Sequence, residues 1–171
     1  MTTLWIAAAV VVVAGLAAGV TVRLQGSPRS TYPGKGRILV PFSGPLDEVV
    51  LGAAIRIARA EEAVLVAAYL LVVPLQYPEE APRKEQVALA VPLLEAVELA
   101  ALRAGVPVDA RIEKGRSLTH ALRRLWEVEP FERIVAPAPG FTAKDLAWIL
   151  THAPTETVVL RPHARNPVVD A

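Results

Sequence analysis

The sequence predicts an α/β domain, a five-stranded parallel sheet with helices on both faces, behind one N-terminal transmembrane helix. Two patterns carry this prediction. Beyond residue 36, short apolar runs alternate with amphipathic stretches, strand then helix, five strands and four helices in all. Before it, no charged side chain occurs between Thr2 and Val22, and residues 4–22 are almost wholly apolar. At 1.5 Å per helical residue that run spans about 28 Å, close to the ~30 Å hydrocarbon thickness of a bilayer.

Taking the elements in order, residues 1–24 are the expected membrane helix. A secretory signal peptide is the alternative, but no basic residue precedes the apolar run, and the run is long for a signal core. Arg23, Arg29, Lys35 and Arg37 all follow it, so the C-terminal side is expected to face the cytoplasm. Trp5 suits an interfacial anchor. Gly15 and Gly19 stand four apart and would let another membrane helix approach closely, although an Ala/Gly-rich span also produces such a spacing by itself. Residues 25–36, QGSPRSTYPGKG, read as a linker. Gly34-Lys35-Gly36 is not a phosphate loop, because it lacks the Walker spacing and precedes a strand rather than a helix.

Residues 37–42 form the first expected strand and 45–60 the first helix, with Val50, Ala54, Ile57 and Ala58 on one face. Ser43, at the strand–helix turn, is expected to cap that helix. Residues 63–73 are a second strand, and 74–82, PLQYPEEAP, a loop. A long helix follows over 83–104, kinked or restarted at Pro92 and closed by Gly105. Residues 106–112 alternate apolar positions with Asp109 and Arg111, as a strand near a sheet edge does. Ser117 can cap a helix ending at Val128, with Glu127 and Glu129 at its end. Residues 134–136, 142–152 and 157–160 supply strand, helix and strand, and 163–171 are a tail.

Composition excludes several functions. The chain has 171 residues, 53% of them hydrophobic. Without Arg23 and Arg29 the 18 basic residues become 16, against 17 acidic ones, and no basic stripe offers a path for nucleic acid. There is no cysteine, hence no disulfide, thiolate metal site or cysteine nucleophile. His120, His152 and His163 are scattered, with no metal-ligand spacing. His120 is placed mid-helix and His152 at a helix end. The turn Phe42-Ser43-Gly44 lacks the G-x-S-x-G elbow, and no acid–His pair is placed by the sequence, so catalysis is not expected. Trp126 and Trp148 are expected to pack. A single Asn, a single Met and three Gln beside many Arg, Glu and Pro give a composition of thermophile type.

Several segments together resemble the universal stress protein family. RILVPFSGPLDEVVLGAAIRIAR is similar to its opening strand and helix, which read ILVPVDGS before an amphipathic helix. EKGRSLTHALRRLWEVEPFERIVAPAPG matches its third strand end, third helix and fourth strand, with Gly115 at a characteristic glycine and RIVAPAPG where the family has DLIVMGSRG. THAPTETVVLRP resembles the ending RHAPCPVLVVR. The resemblance covers residues 36–162 and implies a sheet of order 3-2-1-4-5. It also implies dimerisation through the last strand, here from Thr157 to Leu160, and it makes work beside a membrane protein a reasonable role for the fold. Nucleotide-binding members carry G-x2-G-x9-G-[ST] after the fourth strand and an Asp at the end of the first. Here the Asp position holds Ser43, the first glycine is Pro137, the second is kept as Gly140, and no glycine follows it. A phosphate cradle needs converging backbone N–H groups, and Pro137 and Pro139 offer none. No cofactor is therefore expected, ATP in the family manner included. The residues that could still touch a ligand are Ser43, Gly44, Gly115, Arg116 and Gly140. The expectation is a non-catalytic, membrane-anchored accessory or regulatory subunit of a membrane protein complex. The alternative is a sensor of a nucleotide or another anion using Gly115, Arg116 and Gly140.

Overall fold

The computed structural model describes residues 35–79 and 84–161. The expected membrane helix with Trp5, Gly15 and Gly19, most of the linker, and the tail with His163 lie outside the described residues. Among those described, no helix is long and apolar enough to cross a membrane.

Five strands, β1 (Arg37–Phe42), β2 (Val64–Val72), β3 (Val108–Gly115), β4 (Arg133–Pro137) and β5 (Glu156–Leu160), alternate with four helices, α1 (Glu48–Ala60), α2 (Lys84–Arg103), α3 (Leu118–Val128) and α4 (Ala143–His152). All strand pairs are parallel and the order is β3-β2-β1-β4-β5, as the resemblance implies. Parallel strands must be joined by crossovers, and the crossover helices cover both faces of the sheet. Ile38, Val40 and Phe42 of β1, with Leu65, Ala67 and Leu71 of β2, meet the buried stripes of α1 and α2. Leu39, Val64, Val66, Ala68 and Leu70 point the other way, onto Ala121, Leu122 and Leu125 of α3 and Ile149 of α4. Burial on both sides explains why β1 and β2 read as unbroken apolar runs rather than alternating ones.

Local differences from expectation have physical reasons. Helix α1 starts three residues later than expected, because Asp47, not Ser43, is its N-cap, accepting the Val49 N–H at 2.8 Å. Helix α2 runs through Pro92 as one element. Pro92 lies on its exposed side, where the carbonyl that the proline leaves unpaired can be hydrated. Gly105 ends the helix with φ +69°, a conformation favourable to glycine. Strand β3 extends to Gly115, three residues beyond expectation.

At the lower end of the sheet, where strands start, an ion network accounts for the polar alternation of β3. Arg111 is 4% exposed. Its guanidinium pairs with Glu129, the C-cap of α3, and lies 3.3 Å from Glu113 Oε1 and 3.9 Å from Asp109 Oδ2. Arg37 closes the ring, 2.8 Å from Glu129 Oε2 and 3.1 Å from Asp109 Oδ2, with Phe131 beneath it. Neither expected helix-end role nor edge alternation alone foretold this joint burial. Where α3 meets α4, against the core of that face, Trp126 stacks on Trp148 at 5.3 Å between ring centroids, and Trp148 on His152 at 4.9 Å. The tryptophans thus pack, as expected, and they do so on each other.

Candidate functional site: the carboxyl edge of the sheet

In an open parallel sheet, ligands settle beyond the carboxyl ends of the strands, where strand order reverses. Here the reversal falls between β1 and β4, since β1 pairs with both β2 and β4. The turns that follow these strands bring Ser43 and Gly140 together. Ser43 Oγ donates to the Gly140 carbonyl at 2.8 Å. Gly140 has φ +91°, so a side chain there would be strained, and an added Cβ would also stand 3.4 Å from Ser43 Oγ. Gly44, by contrast, faces open space, and nothing in its surroundings demands a glycine.

The turn after β4 is poor in donors. Pro137 and Pro139 have no N–H, and the N–H of Ala138 is spent on the Leu160 carbonyl at 2.8 Å. The next helix start, normally an attractive place for an anion, carries its own. The carboxylate of Asp145 accepts the Thr142 N–H at 3.1 Å and the Thr142 hydroxyl at 2.6 Å. In return Thr142 Oγ1 accepts the Asp145 N–H at 3.1 Å. This capping box places a fixed negative charge at the N-terminus of α4. Its signature, Thr142-x-x-Asp145, stands in the sequence and could have located this cap.

Gly115 and Arg116 form a second group. A Cβ on Gly115 would sit 2.6 Å from the backbone nitrogen of Ala121, so the glycine lets the first turn of α3 press against the end of β3. The guanidinium of Arg116 folds over the loop after β2. It donates to the carbonyls of Pro74 at 2.9 Å and Tyr77 at 2.8 Å, and stands 3.5 Å from Glu79, which also pairs with Arg124. Arg116 is thus a loop clamp. His120 lies in the first turn of α3, not mid-helix. Its Nδ1 accepts the Arg116 N–H at 3.0 Å, while its own N–H donates to Ser117 Oγ at 3.1 Å. This reciprocal cap uses an imidazole where a capping box uses a carboxylate.

Between these groups lies a cleft of about 340 Å³ lined by Ser43, Tyr69, Leu70, Leu71, Val72, Gln86, Leu89 and Leu118. Among the described residues no cluster of three or more His, Asp or Glu side chains is arranged to hold a metal.

The architecture has known counterparts. No family model and no curated protein sequence matches the chain. Among solved structures, the universal stress protein UspA from Lactobacillus plantarum superposes with a TM-score of 0.60 at 20% identity, covering 74% of this chain and 98% of that one. A universal stress protein from Archaeoglobus fulgidus in complex with dAMP gives 0.58 at 14% identity, covering 72% and 96%. A universal stress protein family protein from Arabidopsis thaliana with AMP bound gives 0.57 at 17%, covering 79% and 97%. The chain has the universal stress protein fold. At these identities the likeness concerns the fold alone.

Proposed function

We propose that this chain is a non-catalytic binding domain of universal stress protein fold, anchored to the membrane by residues 1–24. It faces the cytoplasm and serves as an accessory or regulatory subunit of a membrane protein complex. One observation supports the reading: at the carboxyl edge of the sheet, several groups that could receive an anion are already bound within the chain. The Asp145 carboxylate caps α4, Ala138 has spent its N–H, and Arg116 is tied to carbonyls. A phosphate-sized anion beside Asp145 would meet like charge. In this reading Gly15 and Gly19 pack against a partner's membrane helix, and β5, whose outer edge carries no strand in the described sheet, pairs with a second copy. Purification in mild detergent from native membranes tests the role. An integral membrane protein is expected to co-purify in fixed stoichiometry. Recovery of only the bare chain or its homodimer contradicts it.

A second reading, a sensor of a small molecule, is favoured by the cleft of about 340 Å³, whose size lies within the range of ligand pockets, about 300–1,000 Å³. Two of the comparison structures hold nucleotides, AMP and dAMP, and an open parallel sheet takes its ligands at the carboxyl edge, where this cleft lies.

A further inference from the structure

We infer that the cleft between β2, α2 and α3 binds a small, uncharged and largely apolar molecule that brings a hydrogen-bond donor, and not a nucleotide. The inference rests on the sensor reading and names its class of ligand. The walls decide the apolar part. Leu70, Leu71, Val72, Leu89 and Leu118 supply most of the lining, and Tyr69 adds a ring held edge-on against Phe42 at 5.5 Å. Leu89 is 67% exposed, on the same open side of the helix as Pro92, so a ligand seated here would remove apolar surface from water.

The polar groups decide the donor. Gln86 lines the cleft, and its Oε1 is buried with no hydrogen-bond partner. A buried acceptor left unsatisfied is costly, and an incoming N–H or O–H would satisfy it. Ser43, on the opposite wall, commits its proton to Gly140 O, so toward the cleft its oxygen can only accept. Both oxygens, Gln86 Oε1 and Ser43 Oγ, therefore call for a donor on the ligand. Among the described residues no cationic side chain lines the cleft, and the nearby Arg116 guanidinium is held by Pro74, Tyr77 and Glu79. An anionic ligand would enter apolar walls with no counter-charge.

Matched naphthalenes test this on the full chain in nanodiscs, with the leucine and valine methyl resonances as readout, so that partition of a probe into lipid is not mistaken for binding. 1-Naphthol has the donor, 1-methoxynaphthalene lacks it, and 1-naphthyl phosphate and AMP carry charge. Saturable shifts of Leu89 and Leu118 methyls are expected with 1-naphthol, at least tenfold tighter than with the methoxy compound. Gln86→Met should erase that tenfold difference while leaving the rest of the spectrum unchanged, and Leu118→Trp should block binding. If AMP or 1-naphthyl phosphate binds as well as 1-naphthol, the ligand class is wrong while the sensor reading stands. If no probe gives saturable shifts, both fall.

Discussion

Gly115 and Glu113, two residues apart on β3, show how single side chains set the limits of this fold. The absent Cβ of Gly115 is what allows α3 to start against the strand, with backbone rather than a flexible side chain as the obstacle. Gly115→Ala should therefore cost about 1–3 kcal/mol, seen as a lower urea midpoint for the full chain in mild detergent. Glu113 faces the opposite problem. Burial pushes its carboxyl above the ordinary value of 4.5, with Glu129 and Asp109 adding to the rise, against the lowering by Arg111 and Arg124. A carboxyl raised in the folded state binds its proton more tightly there than in the unfolded chain. Its contribution is thus greatest below 4.5 and declines as pH rises through the folded value. Glu113→Gln should flatten the fall in stability between pH 4.5 and neutrality, measured as urea midpoint against pH; an unchanged slope contradicts this account of Glu113. Glu113 fell beyond the expected strand, while the alternation of Asp109 and Arg111 was legible as a strand near a sheet edge. That Arg37 and Glu129 would close a buried ring around Arg111 was not, because they come from elements 72 and 20 residues away from Asp109 in sequence.

At the scale of elements, hydrophobic periodicity located every strand and helix, since strands covered on both faces leave uninterrupted apolar runs. Boundaries were less legible wherever a cap decided them. Ser43 and Asp47 both suit an N-cap, and only the folded turn sends Ser43 to Gly140 instead. Helix α4 depends on its cap more than the others do, because it is ten residues long and only Ile149 is fully buried. Thr142→Ala should weaken it by about 0.5–2 kcal/mol, and amide hydrogen exchange in its first turn should accelerate accordingly while that of β1 and β2 does not. Equal acceleration throughout would mean that α4 does not open independently.

For the whole molecule, the strand order 3-2-1-4-5 was available only through resemblance to universal stress proteins, since alternating strands and helices are compatible with more than one sheet order. The candidate ligand residues were half legible. The losses at Pro137 and after Gly140 are visible in the chain, whereas the clamp made by Arg116 and the cleft beside Gln86 depend on loops meeting in space. A partner is harder still, because an interface belongs to two surfaces and one sequence shows only one. If Asp145, Ala138 and Arg116 close the phosphate place from within, equilibrium binding of labelled ATP and AMP to the full chain in nanodiscs should show no saturation at millimolar nucleotide; micromolar binding that is lost on Arg116→Ala would mean that the place is open.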